Sequence, residues 1–304
     1  MKDILFIVNP VSGKGKTAKM LPILKEKINE HKKEIEIIVT EYPLHAVEIA
    51  RANSHDFVSI VAVGGDGTLN EVLNGIDLIS NVNFGVLPSG SGNDFAHNFK
   101  LSDNFLTNFD LILDSNHKIT KIDIGSVGYT TSSDSRVHSK KFINSLGIGF
   151  DALVAHYNQN NKTLKGLASY ITAIIKALKN SRPIKLTVDN NIIKKEYNVL
   201  FASVGNGKTA GGGLYLTPDA ELNDGLLDIT YVDAISKPKL LRSLPLAIIN
   251  KIKKLDVVEF DTFLSTEIEL EFPYFVHVDG EVIAANVKSI KIDCLKHALK
   301  IISN

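Results

Sequence analysis

The sequence predicts an α/β protein, with an N-terminal α/β domain followed by a β-rich one. Up to Asp123, short apolar runs rich in Ile and Val alternate with helical stretches, the pattern of a parallel sheet covered by helices. After Asp123, strand-like runs at 185–188, 197–204 and 226–232 are separated by polar, turn-rich segments, the texture of an antiparallel sheet. The length of 304 residues and the hydrophobic fraction of 44% suit one large domain or two ordinary ones.

The elements follow in order. Strand 4–8 enters the loop Asn9-Pro-Val-Ser-Gly-Lys-Gly-Lys16. Helix 17–32 follows, with Met20, Leu21, Leu24 and Ile28 on one face. Strand 35–40 and helix 45–52 precede strand 58–63, which is apolar almost throughout and reads as buried on both faces. That strand runs into Gly64-Gly-Asp-Gly-Thr68. Thr68 and Glu71 have capping-box spacing, which places a helix start at Leu69. Strand 84–87 leads to a second glycine-rich turn, Pro88-Ser-Gly-Ser-Gly-Asn-Asp-Phe-Ala96, and another helix.

In the second half, residues 130–140 read as a polar hairpin tip. One helix is clear: Leu164, Leu167, Ala168, Ile171, Ile175 and Leu178 fall at helical spacing, with Lys162, Lys165 and Lys179 among the polar positions. The run 240–255 mixes Leu244, Leu246, Ile248, Ile249 and Ile252 with Arg242, Lys251, Lys253 and Lys254. Of the two segments it is the better candidate for touching a bilayer.

Formal net charge is zero, so no nucleic-acid partner is indicated. The charge is uneven: −3 over 1–157, +8 over 158–254 and −5 over 255–304. The positive block suits an anionic lipid surface as well as an ordinary solvated face. Cys294 is the single cysteine, which excludes an intramolecular disulfide and fits a reducing compartment. The chain enters a strand at once, so no signal peptide is expected. No run approaches the length of a membrane span. The expectation is a cytoplasmic protein, peripheral to the inner face of the membrane.

The chemistry concentrates in the glycine turns. Gly64, Gly65 and Gly67 let the backbone approach a ligand and adopt positive φ. The N–H groups at the following helix start suit phosphate. Asp66 among them would hold a metal ion or take a proton. A Walker A motif fails at 9–17, because Pro10 stands where its first glycine belongs. Ser12, Gly13 and Lys14 still make a flexible turn that can reach a phosphate. A Rossmann fingerprint fails at Asn70 and at Phe95. In the second turn Ser89 and Ser91 offer hydroxyls, Gly90 and Gly92 offer N–H groups, and Asn93 both donates and accepts.

Gly-Gly-Asp-Gly-Thr resembles the nucleotide loop of the diacylglycerol kinase catalytic-domain family, whose superfamily includes sphingosine kinases and soluble bacterial lipid kinases, with NAD kinases and 6-phosphofructokinases as distant relatives. Asn9-Pro-x-Ser-Gly13, the turn at 88–96, and Thr40 with His45-Ala46 are similar to that family's ATP-side motifs. Asn144 to Ala152, Asn206 to Gly213, Pro218 to Asp228 and Asp279-Gly-Glu281 match it further along, so the resemblance covers nearly the whole chain in order.

The resemblance implies a 6-phosphofructokinase/NAD-kinase-like ATP domain (1–123 plus 296–304) and a β-sandwich lipid domain (124–295). It implies ATP and Mg²⁺ as cofactors. Asn9, Pro10, Ser12, Gly13, Lys14, Thr40, Gly64, Gly65, Gly67, Thr68, Ser89, Gly90, Ser91, Gly92 and Asn93 would hold the nucleotide. Asp66, Asp123 (read as ending strand 121–124) and Glu281 would serve the γ-phosphate, with Asp66 as base or metal organiser and Glu281 as the rival base. Asp224 would bind a structural Mg²⁺, with Asn223 standing where relatives often carry an acid.

The expected reaction is phosphoryl transfer from ATP to the hydroxyl of a membrane lipid, diacylglycerol first. Another lipid alcohol such as a sphingoid base, or a non-catalytic nucleotide or lipid sensor, are the alternatives. An NAD kinase is disfavoured by the Asn-Pro-x-Ser-Gly opening and the Asp-Gly-Glu close. The expected partners are a lipid at the membrane surface and, at most, a second copy in a homodimer.

Overall fold

The computed structural model describes residues 1–160, 166–190 and 193–304, with side chains described outside 166–170. Leu164, Lys162 and Lys165 of the expected helix lie outside the described residues, as do the side chains of Leu167 and Ala168. The chain divides into two compact units, Met1–Asp123 with His297–Asn304, and Ile124–Lys296.

Unit 1 contains β1 (Lys2–Val8), α1 (Ser12–Asn29), β2 (Ile35–Val39), α2 (His45–Asn53), β3 (Phe57–Gly64), α3 (Asp66–Gly75), β4 (Asn83–Pro88), α4 (Asp94–Asn98), α5 (Phe105–Leu113) and the first residues of β5 (Lys118–Thr131). Its sheet runs β2-β1-β3-β4 and then Lys300 and Ile301, every pair parallel. Ile4 to Val8 are buried without interruption, because helices cover both faces of a parallel sheet and leave no polar side to alternate with. Leu24 of α1 and Phe109 and Ile112 of α5 pack against Phe6 and Val63.

Two expectations are corrected here. The helix after the first glycine turn begins at Asp66, not Leu69, and no side chain caps it. Extended Gly65 is the N-cap, and its carbonyl accepts the Leu69 N–H at 3.0 Å. The expected capping box does not form because Thr68 lies inside the first turn of α3 and not at its N-cap; its hydroxyl accepts the Asn9 side-chain amide at 3.0 Å. Asp123 does not end a strand; it lies inside the fourteen-residue β5.

Unit 2 contains the rest of β5, then β6 (His138–Phe142), β7 (Ser145–Gly149), α6 (Phe150–Gln159), α7 (Gly166–Asn180), β8 (Ile184–Asp189), β9 (Lys194–Gly205), β10 (Thr209–Ala210), β11 (Leu214–Tyr215), β12 (Leu227–Asp233), α8 (Lys237–Ile248), β13 (Val258–Phe263), β14 (Ser265–Val278) and most of β15 (Glu281–Ser303). Its strands follow the order β13-β12-β9-β7-β14-β15, all antiparallel, with β8 pairing both β9 and β14. The polar stretch 130–140 is the tip of the β5–β6 hairpin.

Two apolar cores lie among the described residues of unit 2. One lies among the strands, around Phe142, Leu146, Val204 and Ile290. The other packs α6, α7 and α8 against Phe201 and Val232. Among the described residues three helices, not one, therefore enter this half. The apolar run 240–255 is not one helix: α8 ends at Ile248, Asn250 adopts a φ of 55°, and a 3₁₀ turn covers Ile252–Lys254.

Candidate active site

Three loops of unit 1 meet at the C-terminal ends of parallel strands, where open α/β sheets hold ligands. After β1, Asn9 donates from its side chain to Thr68 and accepts the Val11 N–H at 3.2 Å, which ties the first loop to the start of α3. Gly13, Lys14 and Gly15 then turn through left-handed φ values of 57°, 58° and 84°, so regular helix begins only at Lys16. The loop after β4 closes over the same place: Ser89 N–H donates to Gly64 O at 2.8 Å. Thr17, excluded above with the failed Walker motif, is buried, and its hydroxyl lies 2.6 Å from that of Ser89.

Glycine is required where these loops touch. A Cβ on Gly90 would stand 2.4 Å from the Gly65 Cα, and one on Gly13 would stand 2.1 Å from the Ser89 carbonyl oxygen. Asn93, at a φ of 57°, accepts the Gly90 N–H at 2.9 Å and fixes the second turn. The structure thus gathers Asn9, Ser12, Gly13, Gly64, Gly65, Asp66, Thr68, Ser89, Gly90, Gly92 and Asn93. Pro10 stands on the same loop, with Lys14 and Ser91 exposed at the surface of their loops. Gly67 lies in the first turn of α3. Thr40 is buried beside the first loop, its N–H donating to Val8 O at 2.9 Å.

Asp66 sits at the first position of α3, below Gly92 and Phe95. Its carboxylate accepts the Phe95 N–H at 3.4 Å. Burial pushes its pKa from 3.8 to about 6, and the neighbouring Asp94 carboxylate adds to the rise; backbone N–H groups of Phe95, Asp94 and Asn93 oppose it. Such a group is mostly ionised near neutrality and close to the pH where proton transfer is most effective. Asp123 is fully buried and accepts the His297 N–H at 2.6 Å. His297 had no sequence signal.

In unit 2, β14 turns into β15 through Asp279 and Gly280, with φ values of 47° and 81°, the conformation that Asp-Gly favours in a two-residue hairpin. The Asp279 carboxylate accepts three backbone N–H groups, from Ile143, Asn144 and Ser145, at 2.9–3.0 Å. The Asn144 side chain in turn donates to Thr209 O, and that of Asn206 to Ile143 O. The Asn144 and Asn206 motifs therefore brace this turn.

Glu281 stands just beyond the turn, 2.9 Å from Lys140 on β6. Behind it lies a buried pair unseen in the sequence, His277 and Asp151, 3.1 Å apart. Gly280 N–H donates to His277 Nδ1 at 3.3 Å, so Nε2 carries the proton shared with Asp151.

Asp224 is exposed and accepts the Leu226 N–H at 2.9 Å, closing a turn in which Gly225 has a φ of 79°. Burial raises the pKa of Asp228 to about 6, with the Asp224, Asp219 and Glu221 charges adding to it. That mutual repulsion is what a hard cation relieves, so the chemistry of the turn fits Mg²⁺. Among the described residues no three acidic, His or Cys side chains cluster as a cation site. Backbone carbonyls would have to complete the ligand set around Asp224.

Between α6, α7, α8 and the sheet, unit 2 holds a narrow apolar pocket that opens to solvent. Val154, Ile174, Phe201, Leu240, Leu244 and Ile252 line it, and among the described residues Asp151 is its one charged lining residue. No sequence pattern announced it.

Comparison with known proteins agrees with this fold. Residues 3–127 match the diacylglycerol kinase catalytic domain, and residues 144–303 match the YegS C-terminal NAD kinase beta sandwich-like domain. A diacylglycerol kinase of Staphylococcus haemolyticus is 29% identical over 280 residues, covering 90% of this chain and 81% of its own. The crystal structure of a Bacillus anthracis diacylglycerol kinase superposes with a TM-score of 0.72 at 20% identity, over 100% of this chain and 97% of its own. A yeast NADH kinase complexed with NADH gives a TM-score of 0.55 at 11% identity, over 100% and 84%. These two likenesses concern the fold.

Proposed function

Because the chain belongs to the diacylglycerol kinase catalytic-domain family and carries that family's β-sandwich-like C-terminal domain, we propose that it transfers the γ-phosphoryl group of ATP to the hydroxyl of a membrane lipid, with diacylglycerol giving phosphatidate. The observation that carries this reading is the three-loop cradle around Asp66. Its glycines bring backbone N–H groups to a phosphate, as phosphoryl transfer demands positioning and charge neutralisation above all. The apolar pocket of unit 2 supports a substrate with an aliphatic chain. Its lining is close to continuous hydrocarbon, and NAD or any other polar acceptor gains nothing there.

In the proposed reaction the lipid hydroxyl gives its proton to the Asp66 carboxylate as its oxygen bonds to the γ-phosphorus and ADP leaves. Glu281, 2.9 Å from Lys140, is the rival base. Asp123 contributes a further acid and holds the main chain at His297. Mg²⁺, when bound, would supply charge neutralisation at the phosphates, and Asp224 with neighbouring carbonyls would hold a second, structural ion.

The test is an acceptor panel with labelled ATP: diacylglycerol and a sphingoid base in mixed micelles, and soluble NAD. Label in phosphatidate supports the reading. Label only in the sphingoid base moves the assignment to another lipid alcohol, and label in NAD overturns it.

A further inference from the structure

Helix α8 is apolar on two faces. Leu240, Ser243 and Ala247 point inward and, with Leu244, line the pocket. Leu241, Ile248 and Ile249 point outward, 46%, 56% and 54% exposed. Positions i, i+7 and i+8 share one side of a helix, and Pro245 stands among them on the same side. Helix α7 repeats the arrangement: Ala173, Ile174 and Ala177 are buried, while Ile171 and Ile175 are 47% and 49% exposed. The Lys237 ammonium donates to Lys179 O at 3.4 Å, so the start of α8 adjoins the end of α7. Among the described residues, five of the eight large apolar side chains exposed in unit 2 are on these helices and the α8 C-cap. Single exposed apolar residues need no explanation, but a concentration of this kind marks a contact surface.

The charges select the partner. Residues 237–254 carry six basic side chains and no acidic one. Lys239 and Lys253 are engaged by Asp256 and Asp219. Arg242, Lys251 and Lys254 make no ion pair among the described residues. A second copy of the chain docked through this face about a two-fold axis would set these cations against their own equivalents. A bilayer containing anionic lipid offers hydrocarbon to the isoleucines and negative headgroups to the cations.

We propose that the outward face of α8 and the turn after it, continued by α7, is the surface by which this protein lies on an anionic membrane. The same helix then presents its inner face to the pocket and its outer face to the lipid. This assignment rests on the lipid-kinase reading for its purpose, but docking is measured without turnover.

The chain has no tryptophan, so Ile248→Trp in the full-length protein provides the only indole. With vesicles of phosphatidylglycerol and phosphatidylcholine, its emission should shift to the blue and be quenched by brominated acyl chains. Val137→Trp, 73% exposed at the β5–β6 hairpin, should do neither. Replacing Arg242, Lys251 and Lys254 together by Gln should weaken vesicle partitioning about a hundredfold, since each such charge contributes roughly a factor of five. An unshifted Ile248→Trp on protein that still pellets with vesicles would place docking elsewhere and overturn the assignment. So would an Ile248→Asp variant that converts a dimer to a monomer in sedimentation velocity, giving the face to a second copy. Docking through Ile248 with no phosphorylation of any lipid would leave this inference standing and sink the kinase reading. Turnover of micellar lipid without the spectral shift would do the reverse.

Discussion

Replacing Asp66 by Asn should make the protein more stable above neutral pH while abolishing turnover. The carboxyl pKa is raised from 3.8 to about 6, first by burial and then by the Asp94 charge. The raised value means that the folded state resists ionisation. The stability that the neutral carboxyl permits is fully present below the unfolded value, and it is lost as pH rises through the folded one. A shift of about two units corresponds to about 3 kcal/mol. Because part of Asp66 still reaches solvent, this is an upper figure.

Asn has the same shape and can still accept the Phe95 N–H, but it never ionises. Urea unfolding in EDTA should therefore show little difference between Asp66→Asn and the native chain near pH 4. The gap should open between about pH 4 and 6, then hold at up to about 3 kcal/mol through pH 8. The same ionisation should give kcat/KM an acid limb near pH 6. A stability difference independent of pH, or a variant less stable at pH 8, would refute the buried, charge-stressed carboxylate. Near-normal turnover in Asp66→Asn with loss in Glu281→Gln would transfer the role of base to Glu281.

Other perturbations probe the frame around that residue. Gly90→Ala puts a Cβ 2.4 Å from the Gly65 Cα; calorimetric ATP affinity should fall at least about tenfold with modest loss of stability, the loops being displaced rather than the core. Asp279→Ala strands three backbone N–H groups and should cost about 3 kcal/mol or more in urea unfolding. Asp279→Asn, which keeps an acceptor oxygen, should cost clearly less. Added Mg²⁺ should raise the melting temperature of the native chain by mass action, and Asp224→Ala should lose that increment; an unchanged increment would move the ion to another place.

What was legible in the sequence is what is local. The turns 9–16, 64–68 and 88–96 declare themselves because each needs glycine and a particular side chain within a few residues, and the Asp279-Gly280 hairpin is read from a dipeptide. Runs buried on both faces, such as Ile4 to Val8, are equally plain. The illegible features depend on register across long separations. Glu281 meets Lys140 across 141 positions, and His277 meets Asp151 across 126. Neither pair leaves a spacing in the sequence.

Asp123 read as a strand end because the texture of the sequence changes there; it lies fully buried inside β5, where an acid is costly. The main-chain N–H of His297, 174 positions away, helps offset that cost. Thr68 misled because a local capping box looked favourable, but the helix already starts at Asp66, so Thr68 lies in its first turn, where its hydroxyl meets a distant partner, Asn9. The pocket of unit 2 forms from α6, α7, α8 and the four strands β9, β11, β12 and β13 at once, and no single segment carries its pattern.

The most direct test is the initial rate of Mg²⁺-dependent transfer of labelled γ-phosphate into extractable lipid, with diacylglycerol in mixed micelles, for the native chain beside Asp66→Asn. Label in phosphatidate from the native protein, reduced at least about a thousandfold in the variant at equal ATP binding, is the predicted result. No labelled lipid from native protein that binds ATP, or equal labelling by the two proteins, would contradict a lipid kinase whose chemistry is organised by Asp66.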